Sequence, residues 1–360
     1  MVIDDKNTNS LLVGHLAPAK FPEPCYLYHY RLPPGKYLRD NGAIQRRRAM
    51  KGYCPADLSE SPRYAGTTTF LRLPHVSHLD GVDAAVVGLP FDSAASVRSG
   101  ARFGPKAIRE GSLSLAPHYN PAQRVAVFEA LSVVDYGDAP VATGFADRSQ
   151  DRMAEHLSTV HAAGVAPIGL GGDHSVLIAE LRAAAQQHGA LALVQFAAHA
   201  GTLDELVGER YTHGTVVRRA VEEGLIDAAR STVIGVRGGL ASPTELDDAR
   251  ELGLEVIAWE DLVQFGTQAI AAVVERAEGK AFLSFDIDFV DPAFAPGTGT
   301  PEVGGPSSMQ TLALLRGCRG LDLVGADVVG VVPEHDSSAL TATLAATLAW
   351  EMLTLMACRP

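Results

Sequence analysis

The feature that most restricts the fold is an alternation that begins near residue 84 and runs to the end of the chain. Short apolar, β-branched runs occur at 84–89, 131–135, 165–170, 191–196, 232–236, 254–258, 281–286 and 323–332. Between most of them lie stretches with helical spacing, for example 152–163, 174–187, 212–223 and 268–277. Strands that are apolar throughout are buried on both faces, and strands separated by amphipathic helices pair in parallel. The alternation therefore predicts an α/β fold: a three-layer α/β/α arrangement around an eight-stranded, mainly parallel sheet. It forms one domain over 76–360, with no linker to divide it. Residues 1–75 are rich in Pro, Tyr and Arg and lack the periodicity. They are expected to form an extended arm lying on the domain or on a neighbouring subunit.

Charge and composition exclude several classes of function. The formal net charge of −12 argues against nucleic-acid and anionic-membrane partners. The four cysteines form no C-x-x-C pair, so a reduced, cytoplasmic setting is expected. Residues 339–357 approach the length of a membrane span. They contain Glu351 and follow a series of βα units, so a buried C-terminal helix is the better reading. The glycine-rich segments lack the spacing of a phosphate loop.

In parallel sheets ligands bind at the carboxyl ends of the strands. Polar clusters fall there: Gly171-Gly172-Asp173-His174 after the third run, Ala198-His199 after the fourth, and Asp286 and Asp288 ending the seventh. Two carboxylates at i and i+2 on a strand share one face, and oxygen-rich pairs suit hard divalent cations. Each group also has a plainer reading. Asp286 and Asp288 suit capping of nearby backbone, His174 suits a helix start capped by Asp173 or Ser175, and His199 suits a satisfied core position. His213, in Tyr211-Thr212-His213-Gly214, suits a helix start equally. Their convergence on one rim favours a site.

On these residues the chain resembles the ureohydrolase family of arginases and agmatinases, in its agmatinase and guanidino-acid hydrolase branch. The resemblance rests on Gly88-Leu89-Pro90-Phe91-Asp92, the segment 102–109, Asp135-Tyr136-Gly137-Asp138, Gly171-Gly172-Asp173-His174-Ser175, Ile234-Gly235-Val236-Arg237-Gly238 and the segment 284–305. It implies trimers or hexamers. It also implies two Mn²⁺ ions bridged by hydroxide that attack a guanidinium carbon and release urea. Such a pair of cations generates a nucleophile near neutral pH.

The chain departs from that pattern where the metals would sit. The family's F-D-A-H-x-D is Phe196-Ala197-Ala198-His199-Ala200-Gly201 here, so Ala197 and Gly201 replace two aspartate ligands. The substrate-side glutamate corresponds to Gln310, and the glutamate of D-x-x-E-x-x-P corresponds to Gly330. Cations ~3.5–4 Å apart repel by at least several kcal/mol, even at an effective dielectric of ~20, unless carboxylates screen them. The resemblance leaves His174, His199, Asp286 and Asp288 as metal-ligand candidates for one ion at most. His199, Asp286 and Asp288 are the favoured set, and His174 is left without partners. The ion would be Mn, Zn or Ni, weakly bound, or there would be none.

His213 matches the position of a proton shuttle. Arg102, with Arg98, is a candidate for binding a substrate carboxylate. The expected function is that of a divergent hydrolase acting on a small guanidino- or amide-type compound. The alternative is a catalytically inactive homologue serving as a structural, regulatory or metabolite-sensing subunit, as a homo-oligomer or beside an intact paralogue.

Overall fold

The computed structural model describes residues 52–57, 61–92 and 96–359. Most of the expected arm, and Cys25, lie outside the described residues. Its described part runs beside the sheet: Val133 N–H donates to the Tyr53 carbonyl (2.9 Å) and Asp135 N–H to the Pro74 carbonyl (3.0 Å).

Among the described residues, eight strands form one sheet. They are β1 (Ala84–Leu89), β2 (Val133–Asp138), β3 (Ala166–Gly171), β4 (Ala192–Phe196), β5 (Thr232–Val236), β6 (Glu255–Ala258), β7 (Lys280–Asp286) and β8 (Asp322–Val329). The order is β2-β1-β3-β8-β7-β4-β5-β6, and every pairing is parallel. The helices are α1 (Gly104–Ser112), α2 (Val127–Ala130), α3 (Ala146–Ala162), α4 (Leu177–His188), α5 (Val216–Glu222), α6 (Glu245–Glu251), α7 (Trp259–Phe265), α8 (Thr267–Arg276), α9 (Ser308–Gly317) and α10 (Leu340–Met356).

Successive strand side chains point to opposite faces, so each strand feeds two cores. Val86, Ile168, Val194 and Leu283 face the layer containing α10. Leu193, Val233 and Phe282 face α4 and α5, while Ala85, Val87 and Val134 face α3 and α4. This two-sided burial is the reason the strands read as unbroken apolar runs.

The segment Ser337–Met356 is apolar and long enough to span a membrane, yet 78% of its apolar window is buried in the fold. Glu351 is tolerated there because it is fully satisfied. It accepts from Asn120 Nδ2 (2.9 Å), Gln123 Nε2 (2.7 Å) and Arg316 Nε (2.9 Å).

Most boundaries shift by a few residues from the sequence reading, and two of the shifts near the site have clear local reasons. The last strand stops at Val329, not residue 332, because Gly330 turns into the left-handed region at φ +83°. Asp288 is not on the strand with Asp286. The chain enters a 3₁₀ turn, Ile287–Phe289, whose first turn is capped by the Asp286 carboxylate accepting from Asp288 N–H.

Candidate functional site

β3, β8, β7 and β4 are neighbours at the centre of the sheet, so their carboxyl ends deliver four loops to one place. After β3, Asp173 caps a short turn by accepting from Ser175 N–H, and this fixes His174. After β8 comes Gly330, after β7 the Asp286 turn, and after β4 Ala198-His199. An open cavity lies above them, lined by Asp173, His174, His213, Asp286, Arg98 and Gly330 among others.

The site contains two histidine–carboxylate pairs. His174 Nδ1 lies 3.1 Å from Asp286 Oδ2, and its Nε2 lies 3.0 Å from Ser284 Oγ. His199 Nδ1 lies 2.6 Å from Asp288 Oδ2. Asp286 Oδ1 accepts from Asp288 N–H at 3.0 Å, and Asp288 Oδ1 accepts from Ala198 N–H at 2.9 Å. These backbone bonds hold both carboxylates in place.

The electrostatics follow from burial and from each other. Burial works against a charged His199 ring, but the hydrogen bond and charge of Asp288 outweigh it and raise its pKa to about 9. The same contest at His174, with Asp286 as partner, also ends above the ordinary histidine value. Asp286 is pushed up, first by burial and then by the charge of Asp288. Burial also pushes Asp288 upward, but its hydrogen bond with His199 prevails and leaves it below the usual carboxylate range.

His199 and Asp288 stand beside the cavity rather than on its wall. Glu302 Oε1 lies 3.6 Å from His199 Nε2, on the far side of the ring from Asp288. Arg237 ties the region together, donating from Nη2 to the Asp288 and Glu302 carbonyls at 2.9 and 2.7 Å. His213 is on the wall, in the turn before α5, with Nε2 3.1 Å from Ser96 Oγ.

Two residues assigned to the substrate from sequence are engaged elsewhere. Gln310 is the third residue of α9 and completes a capping box with Ser307, accepting from Ser307 N–H at 2.9 Å. Arg102 pairs with the buried Asp92 and does not line the cavity. Arg98 does line it, donating from Nη1 to the Pro296 and Thr298 carbonyls at 3.3 and 3.2 Å.

Glu302, Arg237 and Ser284 lie inside the motifs that carry the family resemblance but have no individual sequence signal of their own. Glu180 lies outside those motifs. Its signal was an acid amid Leu177-Ile178-Ala179-Glu180-Leu181, since a charge inside an apolar stretch is buried only with a partner.

Ala197 and Gly201 offer no donor side-chain atom. Gly201 sits at φ +70°, and a Cβ there would lie 3.2 Å from Val217 Cγ2. At Gly330 a Cβ would lie 2.4 Å from Asp286 Oδ1. A side chain at either glycine would need its neighbours to move, and Ala197 and Gly201 supply no carboxylate to a second ion. Two ligands of one ion, at ~2.0–2.2 Å each, stand about 2.9–3.4 Å apart. His174 Nδ1 and Asp286 Oδ2 match that spacing at 3.1 Å. His199 and Asp288, at 2.6 Å, form a closed hydrogen bond. Among the described residues no group of three His, Cys, Asp or Glu side chains is arranged to hold an ion.

Residues 82–354 match the model of the arginase family. Guanidinopropionase of Pseudomonas aeruginosa is 44% identical over 306 residues, covering 84% of this chain and 96% of that protein. The mitochondrial agmatinase of Gallus gallus is 40% identical over 334 residues, covering 92% and 98%. The solved structure of proclavaminate amidino hydrolase from Streptomyces clavuligerus superposes with a TM-score of 0.78 at 41% identity, covering 82% of this chain and 99% of that one.

Proposed function

This chain belongs to the arginase family, and from that membership we propose that it is a divergent C–N hydrolase of a small guanidino compound, working with at most one divalent ion. The carrying observation is the contrast at one rim. Ala197 and Gly201 stand where a second ion needs carboxylates, while His174 Nδ1 and Asp286 Oδ2 keep a ligand-like separation of 3.1 Å on the cavity wall.

We assign the single ion to His174 and Asp286 rather than to His199, Asp286 and Asp288, because His199 and Asp288 are closed on each other at 2.6 Å. Water would complete the coordination. A divalent ion there, of the Mn, Zn or Ni type, would lower the pKa of bound water. Asp173 and Asp286 line the cavity and suit a cationic guanidinium. Arg98, at the same wall, suits a carboxylate at the other end of the compound, which favours a guanidino acid. His213, on the same cavity wall, would hand a proton to the departing amine. His199 and Asp288 anchor the loop after β4 to the Asp286 turn. The same proposal has the chain assemble in the cytoplasm as a trimer or hexamer.

The test is urea release from a panel of guanidino acids and guanidino amines with one equivalent of Mn²⁺, Zn²⁺ or Ni²⁺. Turnover that Asp286→Asn abolishes is the expected result. No urea from any compound, or a rate indifferent to Asp286→Asn, overturns it. A second reading is favoured by the crowded glycines at Gly201, a lost ligand position, and at Gly330, where the D-x-x-E-x-x-P glutamate would stand: a non-catalytic subunit that senses a guanidino metabolite, alone or beside an intact paralogue. Calorimetric binding without turnover is its expected signature.

A further inference from the structure

Behind the cavity wall, two carboxyl groups meet inside the protein. Glu180, on α4, and Asp327, on β8, are essentially inaccessible to solvent. Asp327 is in register with Gly169 of β3. The missing side chain at Gly169 makes room, since a Cβ there would lie 2.1 Å from Glu180 Oε1 and 3.2 Å from Asp327 Cβ. Neither oxygen of Glu180, nor Oδ2 of Asp327, meets a donor among the described residues. The other Asp327 oxygen is well supplied. Oδ1 accepts from Ser284 Oγ at 2.9 Å and from Phe285 N–H at 3.0 Å.

Buried carboxylate oxygens need donors, and two adjacent carboxylates cannot both stay ionised. We infer that Glu180 is a neutral acid donating its proton to Asp327, and that this pair acts through Ser284 to set which nitrogen of His174 faces the cavity. The direction of each bond follows from counting protons. Asp327 accepts from Glu180 and from the Ser284 hydroxyl. Having donated its only proton, Ser284 Oγ must accept from His174 Nε2–H, 3.0 Å away. The His174 ring then presents Nδ1 to the cavity and to Asp286 Oδ2, 3.1 Å away, and in the metal-free chain a single proton bridges those two atoms. Burial, followed by the neighbouring charge of Asp327, pushes the Glu180 acid upward, in keeping with that state. Glu180 is thus a positioning residue, acting through three other side chains. A ligand nitrogen is held in one tautomer by the bond its other nitrogen makes. The consequence for chemistry rests on the reading of His174 as a ligand; the protonation pattern does not.

Glu180→Gln keeps a donor towards Asp327 and preserves the bond directions. Glu180→Leu removes it. Asp327 would then take a proton from solvent and could donate to Ser284, whose hydroxyl would turn and donate to His174 Nε2.

The experiment uses the full chain without substrate or metal, so it is independent of any activity. Infrared difference spectra at neutral pH should show one carboxylic-acid carbonyl band in the wild type that Glu180→Gln removes. Ring ¹⁵N spectra, recorded where the imidazole is neutral and assigned by loss of the signal in His174→Asn, should show the Nε2–H form in wild type and Glu180→Gln. Glu180→Leu should shift the ring towards Nδ1–H. Absence of the acid band, as for two ionised groups bridged by water, overturns the proposal. So does a Glu180→Leu chain that keeps the Nε2–H form. Should Glu180→Leu fail to fold, the infrared comparison decides alone.

Discussion

Replacing Gly330 with alanine asks whether the wall of the cavity can accept a side chain where the family pattern carries one. Two effects add. Gly330 lies at φ +83°, and an L-residue in the left-handed region costs about 1–2 kcal/mol. The new Cβ would also lie 2.4 Å from Asp286 Oδ1, about 1 Å inside ordinary contact. Asp286 must move, and its Oδ1 is the acceptor for Asp288 N–H at 3.0 Å. Losing a hydrogen bond to a charged group costs about 1.5–3 kcal/mol. The sum is a loss of roughly 2.5–5 kcal/mol. Gly164→Ala supplies the control: φ is +73° there, with nothing within 4 Å of the added Cβ, so only the backbone cost of about 1–2 kcal/mol applies. Equilibrium urea unfolding of both variants measures the difference. If Gly330→Ala loses no more than Gly164→Ala, Asp286 gives way freely, and the glycine is no barrier to a side chain at that position.

Three further outcomes are expected. The His161 pKa is lowered from 6.5 to about 4, by burial first and by the charge of His188 second. Stability present above the unfolded value should therefore fall as pH drops from 6.5 towards 4, by up to about 3 kcal/mol, and His161→Phe should flatten that slope in urea unfolding between pH 7 and 4. Glu351→Leu leaves Asn120, Gln123 and Arg316 without their acceptor; thermal and urea unfolding should show a loss of about 3–5 kcal/mol, and a loss under 1 kcal/mol would refute the satisfied-network reading of α10. Proton NMR of His199 should give a midpoint near pH 9, and Asp288→Asn should lower it; an unchanged midpoint would mean that Asp288 is not the cause.

The layered fold was legible because both of its signals are local. Runs such as 84–89 and 232–236 are apolar at nearly every position, since both sides of the sheet are covered, and their limits coincide with β1 and β5. Eight runs gave eight strands, all of them parallel. Strand ends were harder. Residues 330–332 are apolar enough to extend β8, and only the backbone angle at Gly330 shows why they do not.

The candidate site was legible as residue types at strand ends, which is why His174, Asp286 and His213 meet at one cavity. The partners of each side chain were not legible. The Gln310 position looked like a substrate contact because it aligns with a glutamate, but a Ser three residues before a Gln is equally a capping box, and the structure uses it so. Arg102 is ten residues from the carboxylate that occupies it, Asp92, within a loop whose path the sequence does not specify. Glu180 and Asp327 are 147 residues apart in sequence and touch only because α4 folds over β3 and β8, across Gly169.

The central claim is that this member of the family has given up a two-ion centre. The most direct measurement is metal content per chain by elemental analysis, after incubation with excess Mn²⁺ and removal of unbound metal, on the wild type and Asp286→Asn. At most one ion per wild-type chain is expected, and less in the variant. Two manganese ions per wild-type chain would contradict the claim, because Ala197 and Gly201 would then stand beside a centre they have no atoms to hold.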